Sequence, residues 1–212
     1  MNRLYLTARF VSSAEDPRRC PEAVAEVAFA GRSNAGKSSA LNALTGNGAL
    51  ARTSRTPGRT QLINHFAVGE EGRFLVDLPG YGYAKVSRER RRLWQRAMLA
   101  YLGRREALRG LVLVMDVRHP LTPVDLEFLE LRAEAELPLH CLLTKADKVS
   151  RAERARTLRR VRGELVRAGV EATLQDFSAT RAEGIDDVHA VLDHWLFDAP
   201  PPAADEGGAE DG

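Results

Sequence analysis

From Val24 onward, continuous apolar runs alternate with segments whose apolar residues recur every three or four positions. The runs VAEVAFA, QLINHFAV, RFLVDLPG, LRGLVLVMDV, LPLHCLLTKAD and EATLQDFSA are short and apolar at successive positions, as strands covered on both faces are. Between and after them, SALNALTG, RRLWQRAMLAYLG, DLEFLELRAEAE, RARTLRRVRGELVRAG and IDDVHAVLDHWLF carry helical spacing. Trp94, Met98 and Tyr101 share that spacing and read as one helix face packed on a core. Only QLINHFAV and RFLVDLPG follow one another without a helix, and VGEEGR between them reads as a hairpin turn. The pattern predicts an α/β fold: a six-stranded, mostly parallel sheet with one antiparallel strand and helices on both faces. Ligands of such sheets collect outside the carboxyl ends of the strands, where residues distant in sequence meet.

Composition narrows this picture. At 212 residues and 44% apolar, the chain suits one domain with a sizeable core. Residues 21–197 read as that domain, residues 1–20 as an extension before it and residues 198–212 as a disordered acidic tail. The tail carries five acidic residues and no basic ones, so the rest of the chain has 31 basic against 24 acidic residues. Cys20 and Cys141 stand far apart without a C-x-x-C partner, which argues against a disulfide or a zinc site. The five histidines lack ligand spacing. No run approaches the roughly 20 apolar residues of a membrane span, and the first residues lack a signal-peptide core. The expectation is a soluble, unprocessed cytoplasmic protein with no membrane partner.

Four of the strand ends carry candidate chemistry. The first strand runs into Gly31-Arg32-Ser33-Asn34-Ala35-Gly36-Lys37-Ser38 and then a helix, the strand–G-x-x-x-x-G-K-S–helix context of a phosphate-binding loop. There Lys37 would reach the β and γ phosphates and the Ser38 hydroxyl would ligate Mg²⁺. A Cβ at Gly31 or Gly36 would keep the amides from wrapping the phosphates. Asp77-Leu78-Pro79-Gly80 closes another strand; its Asp would hold Mg²⁺ through water and Gly80 would offer an amide to the γ phosphate. Thr144-Lys145-Ala146-Asp147 ends a third, where the Asp147 carboxylate suits the N1–H and exocyclic amine of guanine, and the Lys145 stem would pack on the base. The last ends in Phe177-Ser178-Ala179, whose amides could meet the guanine O6. Between the loop and Asp77, the Gly/Pro/Thr-rich segment TSRTPGRTQLINHF would order with the γ phosphate, Thr60 supplying a hydroxyl to Mg²⁺ and Thr56 being its nearest rival.

These residues resemble the EngB (YihA/YsxC) GTPases of the Era-like, translation-associated group. The resemblance spans roughly Pro21 to Phe197 and is most specific in TPGRTQLIN and DLPGYGYA. Many GTPases have Asn where this chain has Thr144, but Thr is usual in this family. The resemblance implies a cytoplasmic bacterial P-loop GTPase that binds GTP or GDP with Mg²⁺ and serves large ribosomal subunit assembly, its loss causing cell division and septation defects. Gly58, Arg59, Thr60, Gln61 and Leu62 join the nucleotide site on the same basis. Lys37, Asn34, Thr60 and Gly80 are the expected catalytic positions, and Ser38 and Thr60 the expected metal ligands. Asn34 matches a position that coordinates K⁺ in relatives of the group. Many small GTPases carry a water-orienting glutamine directly after the glycine of D-x-x-G; here that position is Tyr81. The expected partners are a precursor of the large subunit, with its rRNA and ribosomal proteins, and not DNA; the expected state is a monomer.

Charge bears on the partner. Lys85 to Arg109 has nine basic and two acidic residues, and Lys145 to Arg167 nine and three. A solvated face in an arginine-rich chain explains such stretches as well as RNA does, and the resemblance favours RNA. A signalling GTPase with protein effectors is the alternative; a metabolic ATPase or kinase conflicts with Asp147.

Overall fold

The computed structural model describes residues 3–51, 62–69, 72–82, 88–133 and 135–198; at residues 88, 90 and 91 it describes the backbone alone. The six runs read as strands form β2 (Ala25–Gly31), β3 (Ile63–Ala67), β4 (Arg73–Asp77), β5 (Leu108–Asp116), β6 (Leu139–Thr144) and β7 (Thr173–Asp176). A seventh strand, β1 (Arg9–Ala14), corrects the expected count of six and draws residues from the supposed extension into the sheet. Its sequence RFVSSA lacks a continuous apolar run because it is an edge strand, paired on one side and mostly exposed. The order is β1-β3-β4-β2-β5-β6-β7. β3 pairs antiparallel with β1 and β4 and the other pairs are parallel, so the single reversed strand is as expected.

Five α-helices cover the sheet among the described residues: α1 (Lys37–Thr45), α2 (Arg88–Arg104), α3 (Pro123–Ala133), α4 (Arg151–Arg167) and α5 (Ile185–Asp193). Alternation along the strands sorts the core into two layers. Ala28, Leu111, Leu113, Cys141 and Leu143 face Met98 and Tyr101 of α2, Phe128 of α3 and Val161 and Leu165 of α4. Their strand neighbours Val27, Phe29, Val112, Val114 and Leu142 face Leu41 and Leu44 of α1 and Val188 and Leu192 of α5. At Gly110 a Cβ would lie 2.4 Å from the Trp195 ring, so the indole lies on bare backbone there.

Two buried polar clusters pin the ends. Glu26, wholly buried, accepts from the Tyr101 hydroxyl at 2.8 Å and from Arg105 Nε and Nη2 at 3.0 and 2.6 Å. A carboxylate so placed requires such partners. Tyr5 stacks on His189 with ring centroids 4.2 Å apart and donates its hydroxyl to Asp193 at 2.8 Å, tying the leading turn to α5.

Parallel register then aligns the site. Phe29 pairs with Asp77, Gly31 with Val114 and Asp116 with Thr144, so the carboxyl ends of β4, β2, β5 and β6 lie side by side.

Candidate functional site

β2 ends at Gly31, where an added Cβ would lie 2.6 Å from the Val114 carbonyl of β5. The glycine is thus required by the neighbouring strand itself, a tighter constraint than ligand approach. The chain then turns through Asn34 at φ 66° and Gly36 at φ 98°, left-handed positions that favour Asn and Gly. A Cβ on Gly36 would also meet Thr144 Oγ1 at 3.0 Å. The Ser33 amide donates to the Tyr81 carbonyl at 2.9 Å and the Ala35 amide to Arg32 at 3.0 Å. By contrast, the amides of Asn34, Gly36, Lys37 and Ser38 donate to no acceptor among the described residues. They open α1, whose N-cap Gly36 supplies no side-chain cap. Consecutive unsatisfied N–H groups at a helix N-terminus form a nest for an anion.

Lys37 forms an ion pair with Asp77, both side chains being nearly buried. The two groups assigned separately to phosphate and metal therefore neutralise each other here. Leu78 donates its amide to Phe29, and Gly80 approaches the loop closely: its Cβ would lie 3.6 Å from Ser33. Pro79 accepts from the Trp94 indole at 3.4 Å.

Tyr81 is buried, stacked on Phe128 at 5.0 Å, and its hydroxyl donates to Asp125 Oδ1 at 2.9 Å. Burial first, and then the Asp125 charge, push its ionisation far above the ordinary range. Asp125 also accepts from the amide and hydroxyl of Thr122, at 2.9 and 2.6 Å. Tyr81 thus locks the end of the D-x-x-G turn onto α3 and carries no side-chain amide to orient water.

At the end of β6, the Thr144 hydroxyl lies between the carbonyls of Ala35 and Met115, 3.1 Å from the latter. Lys145, at φ 59°, donates to the Asn34 carbonyl at 2.7 Å and pairs with Asp116 at 2.9 Å. Asp116, which the motif reading missed, also takes a two-pronged contact from Arg118. Burial opposes its charge, but Arg118 and Lys145 prevail and hold the carboxyl well below its usual range. The signal for it was present: β5 also ends on an acidic residue, followed two positions on by Arg.

Ala146 is buried and its amide donates to Phe177 at 3.0 Å. Asp147 accepts from the Ser178 hydroxyl at 2.7 Å and pairs with Lys148 at 3.2 Å. Chiefly through the Ser178 hydrogen bond, its pKa is lowered to about 2, so the carboxylate is an acceptor throughout the neutral range. The amides of Phe177 and Ser178 are committed to Leu143 and Glu183, which narrows the expected set of base-facing amides to Ala179. The Phe177 side chain is core, with no exposure.

The loop 31–38, Asp77–Gly80, Thr144–Asp147 and Phe177–Ala179 therefore gather at one rim, linked by Lys37–Asp77, Thr144–Ala35, Lys145–Asn34 and Ser178–Asp147. Leu62 directly precedes β3. Thr56, Gly58, Arg59, Thr60 and Gln61 lie outside the described residues. No cluster of three or more His, Cys, Asp or Glu suits a metal among the described residues, and none of their helices is long and apolar enough to cross a membrane.

This arrangement has recognisable kin. A family model described as 50S ribosome-binding GTPase matches residues 26–145. A probable GTP-binding protein EngB of Xanthomonas axonopodis pv. citri is 51% identical over 208 residues, 97% of each chain. Another, of Photorhabdus laumondii subsp. laumondii, is 52% identical over 196 residues, 92% of this chain and 93% of the relative. Among solved structures, a probable GTP-binding protein engB aligns with TM-score 0.65 and 21% identity over 82% of this chain and 100% of that one. Era in complex with MgGDPNP and a segment of 16S ribosomal RNA aligns with TM-score 0.62 and 18% identity over 88% and 61%. At these identities the structural likenesses speak for the fold alone. With a P-loop GTPase fold and about half its residues identical to these relatives along nearly their whole length, the chain belongs to the EngB family of GTP-binding proteins and is a GTPase.

Proposed function

We propose that this GTPase uses its nucleotide as a switch on a precursor of the large ribosomal subunit in the cytoplasm, and that normal cell division and septation depend on it. The observation that carries the nucleotide half of this reading is the set of unsatisfied amides of Asn34, Gly36, Lys37 and Ser38 leading into α1, with Asp147 at the opposite end of the rim. The amides and Lys37 would cradle the phosphates; Asp147 and the Ala179 amide would read guanine, with Lys145 against the base. Lys37 would leave Asp77 for the phosphates. That would free Asp77 to join the Ser38 hydroxyl in the hard oxygen set that Mg²⁺ prefers, with Thr60 as the remaining ligand. When bound, Mg²⁺ would neutralise charge on the β and γ oxygens.

Hydrolysis by the free protein is slow in this reading, because Tyr81 is committed to Asp125 and offers no water-orienting amide. A supplied positive charge is worth about 10³–10⁵ in rate. K⁺ held at Asn34, or a group on the ribosome, would provide part of it. Equal turnover in Na⁺ and K⁺ removes the K⁺ role.

The ribosomal half rests on the family description and on the basic α2, which begins just after the D-x-x-G segment. Gly80 and Thr60 would sense the γ phosphate, and Arg91, Arg92 and Arg96 would meet rRNA and ribosomal proteins, the chain acting as a monomer. Pelleting with large-subunit particles tests this: a non-hydrolysable GTP analogue should support binding and GDP should not. Reversing the charge of Arg91, Arg92 and Arg96 should abolish it with GTP affinity intact. Equal pelleting in both nucleotides contradicts the switch.

A further inference from the structure

Outside the nucleotide rim, α4 carries a dense row of exposed arginines. Its inner side is settled: Val161 and Leu165 are buried, and Arg154 turns inward to the Ala146 carbonyl at 2.7 Å, Glu183 at 2.7 Å and Asp176 at 3.3 Å. Its outer side exposes Arg151, Arg156, Arg159, Arg160, Arg162 and Arg167. Of the two acids on the helix, Glu164 pairs with Arg160 at 3.1 Å, while Glu153 sits at the first turn, where its amide meets the Ser150 hydroxyl. Arg151, Arg156, Arg159 and Arg162 make no ion pair or hydrogen bond among the described residues.

A merely soluble helix face is normally laced with opposite charges four apart. Like charges at three- and four-residue spacing, as at Arg156, Arg159, Arg160 and Arg162, work against the helix that carries them. The pattern therefore asks for an external anion. We infer that the outer face of α4 docks the phosphate backbone of structured RNA, as a contact separate from α2 and present in both nucleotide states; this rests on the ribosomal reading above.

The chemistry selects RNA. From Arg151 to Arg167 the ridge runs about 24 Å, long enough to follow several phosphates of a duplex rather than a few carboxylates. Guanidinium forks match phosphate oxygens, and double-stranded RNA is held largely through its backbone and shape. Ala152 is small and exposed, and a Cβ on Gly163 would meet nothing within 4 Å, so a backbone can come close. A membrane-surface helix needs a broad apolar face turned outward, whereas Val166 is the one large hydrophobe that α4 exposes. The face is also separate from α2. The three helices line the same side of the sheet, and α3, carrying Asp125, Glu127 and Glu130 against Arg132, belongs to neither basic ridge. α4 packs on β7, at the far edge from β4, and is bonded to the base-side turn rather than to Asp77–Tyr81. The γ phosphate thus has no direct route to it.

The test uses the full chain with Arg156→Gln, Arg159→Gln and Arg162→Gln combined, titrated against a synthetic RNA duplex and against large-subunit particles across a salt series, in GDP and in a non-hydrolysable GTP analogue. GDP affinity, set at the opposite end of α4, reports folding. The salt slope on the RNA duplex should become shallower by about two to three units, equally in both nucleotides, and particle affinity in the analogue should fall at least about tenfold. Arg→Lys at the same three positions should restore the slope. If wild type binds particles and the Gln variant binds them equally well, the α4 assignment fails and the ribosomal reading survives. If wild type binds particles in neither nucleotide, both fail. Wild-type binding to phosphatidylglycerol vesicles that the Gln variant loses, with RNA binding unchanged, overturns RNA as the partner.

Discussion

Asp147 accepts a hydrogen bond from Ser178 on one oxygen and meets Lys148 on the other, which leaves lone pairs on both for a ligand. Replacing it with Asn turns one acceptor into a donor, which would face the exocyclic amine of guanine. Asp147→Asn should weaken GTP binding by about 3 kcal/mol, roughly a hundredfold in Kd, and strengthen binding of XTP, whose C2 carries oxygen. Competition binding with the two nucleotides measures this; unchanged GTP affinity with no gain for XTP would remove Asp147 from base recognition. Lys37 and Asp147 were legible because each sits in a short motif at a strand end. Asp116 was not, since one acid after an apolar run announces nothing until β5 and β6 align in register and bring it to Lys145. The commitment of the Ser178 amide to Glu183 is likewise a backbone fact that no residue type encodes.

Most elements were legible from periodicity because the central strands are buried on both sides and the helices turn one stripe inward. β1 was not: an edge strand needs no apolar run, and its partner β3 lies about fifty residues downstream. The D-x-x-G turn offers the sharpest test at this scale, since Tyr81 ties it to α3 through Asp125 and to α2 through Trp94, its ring centroid 5.6 Å away. Tyr81→Phe keeps the stacking on Phe128 and removes one donor from a buried carboxylate that retains both Thr122 bonds. Unfolding free energy in urea should fall by about 1–2 kcal/mol. No change would mean that the hydroxyl contributes packing alone.

Across the whole molecule, buried histidines link stability to pH: His65, His140 and, by a smaller shift in the same direction, His189. Burial lowers the pKa of His65 and of His140 to about 4, despite Glu26 lying 3.7 Å from His65. Unfolded, each takes up a proton near pH 6.5; folded, each resists until about pH 4. The unfolded state therefore binds more protons between these values, so stability rises with pH across that window and is lost as pH falls through it. From pH 7 to pH 5 the loss from His65 and His140 should be about 4 kcal/mol, read by urea denaturation at each pH. His140→Gln, which can still meet Thr173, should remove about half of that dependence. A flat profile would contradict neutral burial of both rings.

As a switch of the kind proposed, the molecule would hold the ribosomal particle under the control of one γ phosphate. The most direct measurement loads large-subunit particles with the GTP-bound protein and follows phosphate formation and protein release together in a single turnover. Release should track phosphate formation, with the complex persisting on a non-hydrolysable analogue. Release that proceeds at the same rate on the analogue, or a protein that stays bound after its phosphate has gone, would contradict the switch.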